Sequence, residues 1–241
     1  MKKFFLLLAT CLVIASCEKE NIDTTIPSTV TISFKQQVVS SNSMVRSTSN
    51  EFLDIIEEQT PKSIDVILTN IDLNQTYACK SDECITVPLG TYEIYAYSDN
   101  NDVCHLGGNM YSRPTLDCSD FTVTVDQDTK TIALNTYYNC YAVFAPIDEC
   151  ERCYSGETDV DFYKQGNYHV AYFHTGDVQI ILTPYSNSTD FLQTSYDFTT
   201  ILNNSKINAE YGKYYVIHPQ KIDKTDSSFE INIENMEEGK I

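Results

Sequence analysis

Apolar and polar residues alternate with a period of two along most of the chain. Val30, Ile32 and Phe34 alternate with Thr31, Ser33 and Lys35, and Ile64, Val66 and Leu68 with Asp65, Ile67 and Thr69. Successive side chains of a strand point to opposite faces, so this pattern predicts strands with one buried face. Similar runs cover 91–97, 121–125, 131–134, 137–144, 168–173, 178–182, 212–217 and 228–233. Each is short, rich in Val, Ile, Thr, Tyr and Phe, and bounded by Asn, Asp, Gly, Pro or Ser. Residues 126–130 form a polar hairpin loop between two of them. Helical spacing is scarce: Phe52, Ile55 and Ile56 predict one or two turns within 50–59, stopped by Pro61, and 192–202 a second short helix. The expectation is an all-β protein with few short helices, built of antiparallel β-sandwiches and not doubly wound α/β layers. The natural division falls within 126–136. It gives two immunoglobulin-like sandwiches over 29–126 and 127–241, each of about 100 residues. One extended sandwich is the competing organisation, because no Pro/Gly/Ser linker marks the boundary.

Residues 1–17 follow a different rule. Lys2 and Lys3 precede an apolar run from Phe4 to Ala15. Its dozen residues fall short of the roughly 20 needed to span a bilayer, so 1–16 reads as a secretory signal. The run ends Val13-Ile14-Ala15-Ser16-Cys17, which resembles the lipobox of bacterial lipoproteins, with Ile14 where Leu is preferred. The resemblance implies cleavage between Ser16 and Cys17, a diacylglycerol on the Cys17 sulfur and a fatty acyl chain such as palmitate on its new amine. Two or more chains anchor a protein stably where one binds marginally. Residues 17–28 are too polar to pack and read as a flexible tether. Glu18-Lys19-Glu20 resembles the short signals that carry lipoproteins to the outer face of the outer membrane. A surface-facing outer membrane lipoprotein is therefore expected, with a periplasm-facing anchor as the alternative.

Charge narrows the partners. The 241 residues hold 16 Lys+Arg against 34 Asp+Glu, a formal net charge of −18. Such a balance opposes sequence-independent nucleic-acid binding, which needs cations for phosphates, and polybasic attachment to a membrane surface. A 42% hydrophobic fraction excludes a wholly disordered chain.

A more specific likeness runs from Pro61-Lys62-Ser63-Ile64 to Val87-Pro88-Leu89-Gly90-Thr91-Tyr92-Glu93-Ile94-Tyr95-Ala96-Tyr97-Ser98. Gly90 permits a tight turn into a strand whose Tyr92, Ile94 and Ala96 share one face and Tyr95 and Tyr97 the other. This stretch resembles the first domain of fimbrillin-type lipoproteins. The resemblance implies two transthyretin-like β-sandwich domains. In polymerising members, it also implies cleavage after an arginine that frees the first strand and opens a groove for a strand of the next subunit. Backbone hydrogen bonds then supply affinity and alternate side-chain pockets supply register. The matching position here is Arg46, in Met44-Val45-Arg46-Ser47, the only arginine before Arg113. A solvated loop arginine is the plainer reading of the same residue. The run at 228–233, with Phe229, Ile231 and Ile233 on one face, is the matching donor, or else an ordinary last strand.

Nine cysteines include Cys11 and Cys17. The other seven belong to an exported body in which disulfides persist. Cys79 and Cys84 bracket a short loop, Cys104 and Cys118 would close a longer one, and Cys150 and Cys153 a tight turn. Each bridge is worth about 2–3 kcal/mol where strain is small. Cys140 is left as a buried free thiol. Spacing does not fix connectivity. A four-thiolate zinc site from Cys79, Cys84, Cys150 and Cys153 stays open. So does a redox pair at Cys150 and Cys153, although Asp148, Glu149 and Glu151 would raise those thiol pKa values.

Templates for a reaction are missing from the sequence. There is no G-x-S-x-G, H-E-x-x-H or G-x-x-x-x-G-K-[ST]. His169 and His174, five apart, fall on opposite faces of a continuous strand. Asp99-Asn100-Asn101-Asp102 lacks the order of an EF-hand loop. No catalytic residue, metal or cofactor is assigned. Seventeen tyrosines and eleven phenylalanines without tryptophan leave stacking of sugars as an option. The expectation is a non-enzymatic structural or adhesive envelope lipoprotein, as a fimbrial subunit or anchor. Its partners are the bilayer, other fimbrial subunits and host or glycan ligands. The alternative is a carbohydrate- or nutrient-binding lipoprotein serving an outer-membrane importer, and a hydrolase with unrecognised carboxylates ranks third.

Overall fold

In the computed structural model, residues 28–39, 50–98, 105–107, 109–174, 176–203, 205–222 and 236–241 are described. The all-β expectation holds, and the described residues contain one short helix, α1 (Glu51–Gln59). The first sheet runs β3 (Gln75–Lys80), β2 (Asp65–Asn70), β5 (Gly90–Tyr97), β8 (Leu116–Val125), β9 (Thr131–Tyr138), β1 (Thr29–Val38), β4 (Ile85–Pro88). The hairpin loop at 126–130 joins β8 to β9, and Asp126 Oδ1 accepts from Asp128 N and Thr129 Oγ1 within it. β8 and β9 pair only at their far ends, Leu116 with Tyr138 and Asp117 with Tyr137. The ladder therefore folds over: β8 stays with β5, β2 and β3, while β9 joins β1 and β4. Val66, Leu68, Tyr92, Ile94, Ala96, Ile32, Val87, Ile132 and Leu134 fill the space between.

Gly90 makes the turn between β4 and β5 at φ +152°, where an added Cβ would lie 2.9 Å from Asn70 Nδ2.

A second sheet runs β21 (Met236–Lys240), β19 (Lys213–Ile217), β10 (Tyr141–Pro146), β14 (Tyr168–Phe173), β7 (Met110–Tyr111), β6 (His105–Gly107), with β13 (Tyr163–Gln165) also on β14. A third runs β12 (Val160–Asp161), β11 (Arg152–Ser155), β15 (Asp177–Thr183), β17 (Thr194–Thr199), β18 (Ile207–Asn208), and β16 (Phe191–Leu192) pairs with β20 (Gln220–Lys221). Tyr141, Val143, Phe173 and Tyr215 of the second sheet meet Cys153, Ile180, Leu182 and Phe198 of the third. The other face of the second sheet is buried too, with Ala142, Phe144, Val170, Tyr172, Tyr214 and Val216 packed against α1. All six residues of β10 are consequently buried.

Three differences from the sequence reading stand out. Residues 194–199 form strand β17 and no helix, because Thr194, Tyr196 and Phe198 keep a period of two toward the core. The sheets are mixed: β1–β9, β10–β19 and β17–β18 are parallel pairs. The predicted run at 137–144 is also two strands, since β9 ends at Tyr138 and β10 begins at Tyr141.

Candidate strand-addition site

β1 changes partner halfway along its length. Thr29 to Ile32 pair antiparallel with Pro88 to Ile85 of β4, and Ser33 to Val38 pair parallel with Thr131 to Thr136 of β9. Val30 and Ile32 are buried, and Phe34 and Val38 pack partly against the same core. Burial of each such side chain stabilises by about 1.5–3 kcal/mol when complete. Polar contacts add register: Ser33 Oγ donates to Lys130 O at 3.0 Å, Gln36 Nε2 donates to Pro61 O at 3.1 Å, and the Thr31 and Thr86 hydroxyls lie 2.7 Å apart. β1 thus lies over an apolar floor, hydrogen-bonded to the β4 edge along its first part and to the β9 edge along the rest.

The chain on the far side of 40–49 is held elsewhere. Asn50 caps α1, its Oδ1 accepting from Phe52 N at 3.0 Å and Leu53 N at 3.4 Å, and its Nδ2 donates to the Tyr214 hydroxyl at 2.8 Å. Glu51 and Asp54 suit the positive end of the helix dipole. Phe52 sits 5.1 Å from Phe144, 5.0 Å from Tyr168 and 5.3 Å from Tyr214, ring centre to ring centre. The Tyr168 hydroxyl donates to Glu51 Oε1 at 2.6 Å, and Thr60 Oγ1 donates to Ile56 O at 2.7 Å. The first core holds β1, whereas the second sheet holds α1.

Ser16, Cys17, Arg46, Cys104 and the run at 228–233 lie outside the described residues. The six described cysteines, Cys79, Cys84, Cys118, Cys140, Cys150 and Cys153, are all thiols. The bridges expected at Cys79–Cys84 and Cys150–Cys153 are therefore not formed, although each pair is near enough to interact electrostatically. Cys79 packs against the core while Cys84 is exposed beyond the turn. Cys150 Sγ instead donates to Pro146 O at 3.2 Å, and Cys153 is fully buried. Burial first, then Glu149 and Asp148, pushes the Cys150 thiol up to about 12, and burial, Glu83 and Asp65 push Cys79 up to about 11. Cys140 is likewise a buried thiol, pushed up to about 11 by burial.

The histidines are occupied separately. A His169 ring nitrogen lies 3.1 Å from Cys150 O, and His218 Nδ1 lies 2.7 Å from Glu149 Oε2. His174 packs edge-on to Tyr111. Among the described residues, no three His, Cys, Asp or Glu side chains cluster as a metal site requires.

Sequence reading missed one surface. β5 and β8 slip register between Ile94–Phe121 and Ala96–Cys118, so Ser119 and Asp120 both face solvent opposite Tyr95. Tyr97, Asp117 and Tyr137 then form a row across β5, β8 and β9. The three-residue step from buried Cys118 to core-packed Phe121 was the available signal.

No protein-family model matches the chain, and no curated protein matches it. Among solved structures, it is similar to a fimbrial assembly protein from Parabacteroides distasonis, at 11% identity and TM-score 0.42 over 79% of this chain and 91% of that one. It is also similar to a proposed adhesin from Bacteroides ovatus (10% identity, TM-score 0.31, 85% of this chain and 98% of that one). A third likeness is to proposed polysaccharide binding proteins from Bacteroides thetaiotaomicron (9% identity, TM-score 0.36, 81% and 98%). At these identities and TM-scores the likeness supports no inference about activity.

Proposed function

We propose that this chain is a lipid-anchored, non-enzymatic protein of the bacterial cell envelope that assembles by strand addition. Its two sandwich units, 29–126 and 127–241, would be moored at the outer membrane through acylated Cys17 and face the cell surface. The observation that carries the reading is the position of β1. It is the first described strand, lies between β4 and β9, and supplies Val30 and Ile32 to the first core. A cut after Arg46 would separate β1 from α1, and α1 would stay clamped on Phe144, Tyr168 and Tyr214. Once β1 left, the slot would offer two unpaired strand edges over apolar pockets spaced for alternate side chains of an incoming strand. The resemblance of the 61–98 stretch to fimbrillins supports the same reading.

The test is limited trypsin cleavage of the purified chain, followed by gentle warming. Cleavage at Arg46 followed by SDS-resistant oligomers is expected, with an Arg46→Ala chain staying uncut and monomeric. A cut chain that retains β1 and stays monomeric ends the strand-addition reading. Incorporation of labelled palmitate, abolished by Cys17→Ala, tests the anchor separately.

A further inference from the structure

We infer that the solvent face of the first sheet, where Tyr95, Tyr97 and Tyr137 surround Asp117 and Asp120, binds arginine side chains of a basic partner polypeptide. The face is assembled by register. Lys80 pairs across with Asp65, Asp65 with Tyr97, Tyr97 with Asp117, and Asp117 with Tyr137, one residue from each of β3, β2, β5, β8 and β9. The bulge at Ser119–Asp120 turns a second carboxylate outward beside Tyr95. Bulges re-aim side chains in this way and are common next to functional sites.

The surface is aromatic and acidic at once. Tyr95 and Tyr97 stack with ring centres 5.2 Å apart, Tyr95 is 37% exposed, and Tyr137 is 40% exposed. Asp117 Oδ1 accepts from Cys118 N at 2.8 Å, and Asp117 lies near the Tyr95 hydroxyl. Lys80, the row's cation, lies 3.1 Å from Asp65 at the opposite end. Among the described residues, no lysine or arginine forms an ion pair with Asp117 or Asp120 in the structure. Burial raises the Asp117 pKa, with the Cys118 N–H and His174 opposing this in part, and burial holds that histidine toward neutrality.

The same chain shows what completes such a set. On β11, the Arg152 guanidinium lies 3.9 Å over the Tyr154 ring, and the same side chain donates to Asp159 at 2.9 Å and to Asp161. That arrangement is one guanidinium, a tyrosine face and two aspartates. The β5–β8 face has the tyrosines and the two aspartates, and lacks the guanidinium. A planar guanidinium can stack on a ring and fork to a carboxylate together, which an ammonium matches less well. The charge sign also rejects acidic partners.

The proposal needs neither strand addition nor the anchor, although the face borders the β1 slot where Tyr137 follows Thr136, the partner of Val38. The test is an NMR titration of the isotope-labelled full chain with acetyl-Gly-Arg-Gly-Arg-Gly-amide. Saturable shifts confined to Tyr95, Tyr97, Asp117, Asp120 and Tyr137 and their neighbours are expected, weakening with added salt. The citrulline analogue, equal in shape but uncharged, should not saturate. Asp120→Asn and Asp117→Asn together should weaken binding by about tenfold or more. The exposed single change Tyr137→Ser supplies a second variant should the pair fail to fold. Shifts spread over all acidic surfaces, or equal binding of citrulline, overturn the inference. So does salt-independent saturation of the same residues by a neutral malto-oligosaccharide, which would make the face a glycan platform.

Discussion

Cys140 is fully buried against Thr115, its Sγ 3.3 Å from the Thr115 backbone N–H, and its thiol is pushed up to about 11 by loss of water. A rise of that size from 9.0 cuts the thiolate fraction about 100-fold before steric access is counted. Cys118, Cys150 and Cys153 are likewise buried and raised by desolvation, whereas Cys84 is exposed. Alkylation of the native chain at neutral pH should therefore label Cys84 first among these five, with the buried four reacting only after unfolding. Peptide mass spectrometry after timed iodoacetamide treatment reads the order. Should Cys84 and Cys79 both resist until a reductant is added, the two thiols would have joined in the oxidising compartment, contrary to their state in this structure.

At the scale of elements, α1 is the piece whose removal should be felt furthest from itself. A nine-residue helix is too short to persist alone in water, so its existence depends on Phe52, Ile55 and Ile56 meeting the second sheet. Phe52→Ala should cost about 2–4 kcal/mol and Asn50→Ala about 1 kcal/mol in urea unfolding. Because both residues touch Tyr214, the double variant should lose less than the sum. Strict additivity would show that the helix is not clamped as described. The helix itself was legible from three apolar residues and Pro61, and the sheet it docks on was not. Likewise β1, β2, β5 and β15 were legible because each buries one face and keeps a period of two. β17 was misread because Phe191 and Leu192 before its alternation and Ile201 and Leu202 after it mimic helical spacing, although the last two are exposed. The short strands β6, β7, β12, β16, β18 and β20 span two or three residues, too few for any period to appear. The slot around β1 was legible only as an expected strand. Its change of partner from β4 to β9 depends on long-range pairing that spacing along a chain does not encode.

For the whole molecule, two histidines couple stability to pH. His169 is almost fully buried, and His174 lies against Tyr111 with its Nε2 unpartnered and buried. Burial lowers both pKa values below the ordinary 6.5, with the Cys150 carbonyl and Asp161 partly opposing this at His169 and Asp117 at His174, while Lys164 reinforces it at His169. A lowered folded pKa means that the unfolded chain binds protons more readily. The stability these neutral rings contribute is therefore complete above about pH 6.5 and is lost as pH falls below it, by up to about 1.4 kcal/mol per pH unit for each ring. The 34 carboxylates act in the opposite sense, because their protonation relieves the repulsion of a chain at −18, but they titrate chiefly nearer pH 4. The interval from about pH 6.5 to 5 consequently isolates the histidines. Urea midpoints across it should fall with acidification, and His169→Gln and His174→Gln should each flatten the slope while costing stability at neutral pH. A midpoint independent of pH over that interval would mean that both rings accept a proton in place, His174 beside the seam where β7 joins β14 and His169 where β14 lies between β10 and β13.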